Sequence, residues 1–286
     1  MIDYDPHHWR SHLLDIRGSM LREIAFRVVA CVAWSAVVVM FHQLVWPVGR
    51  PSTVHTLIGV ALGLLLVFRT NSSYDRYWEG RKLWGRIINE SRNLARASRV
   101  LVGSRDRALH ESIVLWTIAF AYAAMHGLRG RADLGPVRDR LAPDEVATLD
   151  GPMHLPLAVA TQITARLNEA RVRGLISDYV QMTIDQNVQL LIDYLGGCER
   201  IHRTPLPFAY VVHLRRALIL YCFTLPFALV RDFGWSTILA TLLVAYIFFG
   251  IEEIGVEIED PFGTDDNDLP LGDLCARIER DLLALI

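Results

Sequence analysis

The stretch TLIGVALGLLLVFRTNSSYDRYWEGRKLWGRIINESRNLARASR, Thr56 to Arg99, decides the fold. An uncharged run from Thr56 to Phe68 meets Arg69 and then turns densely charged. No proline breaks it, and the glycines at 59, 63, 80 and 85 are isolated. The pattern predicts one long helix, or two in near-continuous line, with the first half in lipid and the second half in water. Gly59 and Gly63 stand four apart, a spacing of small residues that lets membrane helices approach closely. Val60, Leu64 and Phe68 also recur every four residues, as a stripe that drifts slowly around the helix. Such a stripe either packs against a neighbouring helix or, in a ring of subunits, faces a pore. Spacing leaves both readings open, and packing is the plainer one.

The 286-residue chain is 52% hydrophobic yet 21% charged, the mixture of a membrane protein with a substantial aqueous part. Its net charge of −2 offers no bulk attraction to nucleic acid. Cys31, Cys198, Cys222 and Cys275 form no CxxC pair or zinc spacing and read as structural thiols. The ten histidines show no HExxH, and no P-loop, GxSxG or dinucleotide fingerprint appears, so an enzyme has no support.

Residues 1–27 are polar and lack the early apolar core of a secretory signal. Val28–Trp46 carries no charge over 19 residues, enough to span a bilayer, and stops at an aromatic at interface depth. Thr56–Phe68 returns and is short for a span, so Arg69 either snorkels or faces a wet interior. Ile113–Leu128 is apolar, but its 16 residues fall short of a span, and it reads as a buried helix of the aqueous domain. Residues 129–156 look like loop. Ala158–Leu195 reads as one helix, ended by Gly196-Gly197. A third span over Ala217–Val230, kinked at Pro226, and a fourth over Trp235–Ile251 follow. Residues 274–286 read as a short amphipathic helix. Ten basic residues lie between Arg69 and Arg107, against one in each of the 47–55 and 231–234 loops. That asymmetry puts both termini in the cytoplasm.

The fold class is therefore an all-α membrane protein of four transmembrane helices with a large helical cytosolic domain. Its divisions are a cytosolic segment (1–27), a first transmembrane hairpin (28–68), the helical cytosolic domain (69–206), a second hairpin (207–253), and an acidic tail with a C-terminal helix (254–286).

FRTNSSYDRYWEGRKLWG (68–85), LGGCERIHRTPLPFAY (195–210) and IEDPFGTDDNDLPL (258–271) resemble, in this order, the hallmark segments of the bestrophin family, its bacterial branch above all. The likeness extends over nearly the whole chain. It implies a homopentameric ion channel of the bacterial inner membrane, with lipid, permeant monovalent ions and its own copies as partners. It also maps the pore neck onto Val60, Leu64 and Phe68, which turns the stripe toward the pore reading. Five copies of each side chain would form apolar rings that gate by dewetting. A cytosolic constriction maps near Met182, with Val180 and Ile184 as close alternatives.

In animal members the acidic segment holds calcium, and Asp265 and Asp268 match the ligand positions there. Thr264 and Asn267 replace acidic residues of that pattern, so no cofactor is required. A divalent cation at the tail stands second to plain turns and caps. Glu252, Glu253, Glu257 and Glu259 are expected as solvated helix ends, a local source of cation attraction being the other reading. Arg69, Arg76 and Arg81 are expected in ion pairs with Asp75, Glu79 and neighbouring subunits. The acidic exit tilts the ion preference slightly toward sodium or potassium over chloride. An anion channel of the animal type and a non-conducting scaffold or regulator are the alternatives.

Overall fold

A computed structural model describes residues 18–149 and 154–286, so most of the polar N-terminal segment lies outside the described residues. Every regular element in these ranges is helical. Helix α1 spans Leu21–Leu44, α2 Thr53–Leu101 and α3 Arg107–Leu128. A 3-10 turn, Gly135–Arg140, and a short α4, Pro143–Ala147, follow. Then come α5 (Leu155–Val172), α6 (Asp178–Arg203), α7 (Phe208–Phe233), α8 (Thr237–Glu257) and α9 (Leu271–Leu283). Helix α2 is one uninterrupted helix of 49 residues, so the single-helix reading of the opening stretch holds.

The chain divides into two compact units. The first takes the chain up to Tyr77, Pro205–Asp260 and Asp265–Asp268. Here α1 lies against α8 and α7, and α7 against α8. Leu62 and Leu66 of α2 enter their shared core beside Ile24, Leu214, Leu218 and Phe249. Helix α1 begins seven residues before the uncharged run, because Glu23 and Arg27 sit within it and Arg27 finds carboxylate partners on α8. Gly59 meets α7 closely, since a Cβ there would fall 2.7 Å from the Tyr221 hydroxyl. A Cβ on Gly63 would meet nothing within 4 Å, so among the described residues Gly59 alone of the two serves a close approach.

The second unit takes Trp78–Thr204, Pro261–Thr264 and Leu269–Ile286. It is built around α3, against which α5, α6 and α9 pack. Asp106 caps α3 by accepting from the Leu109 N–H, and that bond holds its carboxyl below the usual carboxylate range. Leu271, Cys275, Ile278 and Leu282 recur at helical spacing and are the buried stripe of α9. Burial pushes the Cys275 thiol up to about 12, so it stays an inert, protonated core residue.

Among the described residues four stretches are long and apolar enough to cross a membrane: α1, α2, α3, and Phe208–Glu257, which holds both α7 and α8. The last is divided at Gly234, whose φ of +49° suits the turn between them. In α3, 83% of the most apolar window is buried inside the chain, against 17–28% in the others. A helix that is apolar all round and wrapped by its own protein is a core helix.

Two boundaries differ from the sequence reading. The helix expected over Ala158–Leu195 is two helices, because Gly174 takes a φ of +69° and Ser177 caps the next helix through the Val180 N–H. Gly196-Gly197 does not end α6, which runs on to Arg203. Gly197 instead permits close packing on α2, where a Cβ would stand 2.9 Å from Leu83 Cδ1.

Candidate pore-lining face and its ion-pair support

At about 100° per residue, Leu62, Leu66, Arg69 and Ser73 fall on one face of α2, and Val60, Leu64 and Phe68 fall on the opposite face. The first group is buried, with Leu62 at 3%, Leu66 at 1% and Arg69 at 1% exposure. Val60, Leu64 and Phe68 are 62%, 57% and 63% exposed, so the stripe is left largely uncovered by the described residues of its own chain. The outward face continues into Asn71, Ser72 and Asp75, changing from apolar to polar just past Phe68.

Burying Arg69 fixes which way this face turns. The guanidinium neither snorkels nor faces water. Its Nη2 donates to Glu259 at 2.6 Å and its Nη1 to the Ser73 hydroxyl at 2.7 Å. Glu259 is a junction, for its other oxygen accepts the Leu206 N–H at 2.8 Å and its carbonyl accepts from Arg76 Nε at 3.0 Å. A buried charge is tolerable only when paired and hydrogen-bonded in this way. The next arginine, Arg69's neighbour in the motif after Arg76, is Arg81, which takes no carboxylate partner among the described residues.

Glu252 is likewise not a solvated helix end. It is 1% exposed, accepting from Arg215 Nε at 2.8 Å and from Arg27 Nη1 at 3.5 Å. Glu253 takes the other arm of Arg27 at 2.7 Å. In the second unit Glu79 pairs with Arg200 at 2.7 Å. The expectation of free carboxylates is therefore corrected: most are neutralised by arginines far away in sequence. A signal was present in the sequence, since Arg27, Arg215 and Glu252 all sit inside or at the edge of apolar helices and such charges need partners.

Of the constriction candidates on α6, Met182 is 68% exposed and Val180 is half-buried. Ile184 is 2% exposed and belongs to the core, because it falls on the inward face with Val188 and Leu191.

The carboxylates of Asp265 and Asp268 do different things. Asp265 is exposed, whereas Asp268 is buried and accepts the Asp265 N–H at 2.7 Å, closing a turn. The Asp268 N–H returns to the Asp265 carbonyl at 3.1 Å. Burial, with Asp265, Asp260 and Glu257 nearby, pushes the Asp268 carboxyl up to about 6. Asn267 donates to Glu257 and to the Gly18 carbonyl. Among the described residues no three His, Cys, Asp or Glu side chains converge.

Comparison with known proteins agrees with this architecture. A family model described as Bacterial/Fungal Bestrophin protein matches residues 1–284. A voltage-dependent anion channel-forming protein of Nostoc sp. is 41% identical over 278 residues, covering 96% of this chain and 91% of the relative. Its counterpart in Escherichia coli strain K12 is 33% identical and covers 100% of this chain and 94% of the relative. The crystal structure of a bacterial bestrophin homolog from Klebsiella pneumoniae superposes with a TM-score of 0.84 at 33% identity, covering 92% of this chain and 98% of that one.

Proposed function

The chain belongs to the bacterial and fungal bestrophin family, and from that membership we propose that it is an anion-conducting membrane channel whose pore neck is the outward face of α2. The observation that carries the reading is the exposure of Val60, Leu64 and Phe68 on a helix whose opposite face is fully buried. Large apolar side chains left open in this way need a cover, and five copies around an axis supply one as stacked rings. Rings of this kind admit ions when wet and block them when dry, with little preference for charge.

Selectivity must then come from charges outside the neck. The slight preference for cations rested on the acidic exit region. Glu252 is spent on Arg27 and Arg215, and Glu259 on Arg69. With those carboxylates neutralised, the basis for cation preference is gone, and the names of the relatives support anions. Met182, on the exposed side of α6, takes the role of the second constriction. The spans are α1, the first part of α2, α7 and α8, in the bacterial inner membrane, and the arginine asymmetry leaves both termini cytoplasmic. The Asp265–Asp268 loop serves as a turn.

The test is the reversal potential of purified protein in a planar bilayer under a tenfold KCl gradient. Anion conduction predicts a potential approaching the chloride limit, about 59 mV in magnitude for a singly charged ion. The opposite sign would return the argument to cations. No current from a folded oligomer would refute conduction and leave a scaffold.

A further inference from the structure

In the second unit, the α2 segment after Trp78 and helix α9 enclose a groove of about 540 Å³. Its charged lining consists of Arg81, Lys82, Arg86 and Arg92 from α2 and Arg277 from α9, with no Asp or Glu among the lining residues. The chain as a whole carries more acidic than basic residues, so an acid-free groove is not a matter of composition. Several arginines elsewhere in the unit are matched: Arg166 with Glu145, Arg173 with Asp106, and Arg200 with Glu79. Here only Arg92 is, through Asp281. Lys82 lies 5.7 Å from the Trp78 ring centre and Arg86 lies 5.5 Å from that of Tyr194, contacts that leave their charge uncancelled. Arg81 and Arg277 have no hydrogen-bond or ion-pair partner among the described residues.

Lys82 and Arg86 are four apart on one helix face, where like charges oppose helix formation. Gathering four uncancelled cations in one concavity raises a positive potential that a bound anion would relieve. The floor is open at Gly85, where a Cβ would come within 3.3 Å of Arg81 Nη1. We propose that this groove binds a multivalent phosphate-class anion of the size of a diphosphate. Guanidinium groups present planar forks that match the oxygens of a phosphate and hold it at two points, which a halide cannot use. The volume admits more than a single ion, and four positive charges suit more than one phosphate. The site stands whether or not the chain conducts.

Lys82 is the only lysine in the chain, which makes the test clean. Full-length protein in detergent is titrated with inorganic diphosphate at constant ionic strength by calorimetry, with chloride as the control anion. In parallel, acylation of Lys82 by an amine-reactive ester is followed by peptide mass spectrometry. Saturable binding and protection of Lys82 by diphosphate, but not by chloride, are expected. The double variant R81Q/R277Q should weaken binding about tenfold or more, since each fork lost removes charge-assisted hydrogen bonds. G85V should weaken it too, by filling the floor with no change of charge, and R140Q, outside the groove, should leave it unchanged. If R81Q/R277Q fails to assemble, R277Q alone serves, because that side chain is exposed and unpaired. Absence of saturable binding, or equal weakening by R140Q, overturns the site. So does Lys82 shielded without diphosphate together with loss of the oligomer in R277Q, which would make the groove a contact between copies.

Discussion

Replacing Glu259 by Gln isolates what the buried arginine contributes. The amide keeps the size of the side chain and an oxygen for the Leu206 N–H, but it removes the charge that faces Arg69 at 2.6 Å. Arg69 is 1% exposed, so the loss strands a guanidinium with no water to solvate it. Breaking a buried pair from one side costs about 3 kcal/mol or more, because the remaining charge keeps its desolvation penalty. Removing both charges avoids that penalty. R69M/E259Q should therefore recover to within about 1–2 kcal/mol of the parent, with Met packing along Gly255, where an added Cβ would fall 3.4 Å from Arg69 Cγ. The assay is unfolding in mixed detergent micelles followed by tryptophan fluorescence, run on the parent, both single variants and the double variant. A loss under about 1 kcal/mol in E259Q, or a double variant no more stable than E259Q, would refute a desolvated pair and make Arg69 a hydrated surface charge.

Three further outcomes follow from the same geometry. Alanine at Val60, Leu64 and Phe68 together should raise ion flux in liposomes while preserving the oligomer, whereas unchanged flux from intact oligomer would remove the neck assignment. G59V should destabilise the protein by driving a side chain into Tyr221, with partial rescue by Y221F, while G63A should be tolerated; equal damage from both would show a second close approach, made by another copy. The Asp268 carboxyl titrates near 6 when folded and near 4 when unfolded, so the folded state holds the extra proton between those values. Its contribution is thus present below about pH 4 and is lost as pH rises through about 6, with a slope of up to about 1.4 kcal/mol per pH unit in that window. D268N, which keeps the acceptor for the Asp265 N–H, should abolish that component in thermal unfolding measured across the range.

What the sequence determined by itself is the content that local rules control. Runs of uncharged residues located the apolar parts of α1, α2, α7 and α8, because length and lack of charge suffice for a span. The four-residue spacing picked out Val60, Leu64 and Phe68 as one stripe, because helix geometry alone decides which residues share a face. The shortness of Ile113–Leu128 placed it in a core. Glycine was where local reading failed. Gly174 breaks a helix while Gly196 and Gly197 do not, and the difference lies in a backbone angle at one site and a neighbouring Leu83 at the other.

Only the tertiary structure decided the charges. Glu259 lies 190 residues from Arg69, and Glu252 lies 225 from Arg27, so no spacing rule joins them. Whether a carboxylate attracts cations or merely neutralises an arginine depends on what folding brings within about 3 Å, since in a low-dielectric interior the nearest opposite charge dominates. For the same reason the acid-free groove between α2 and α9 was invisible in a chain whose charges nearly balance. A net charge is a property of composition, whereas a local field belongs to the fold.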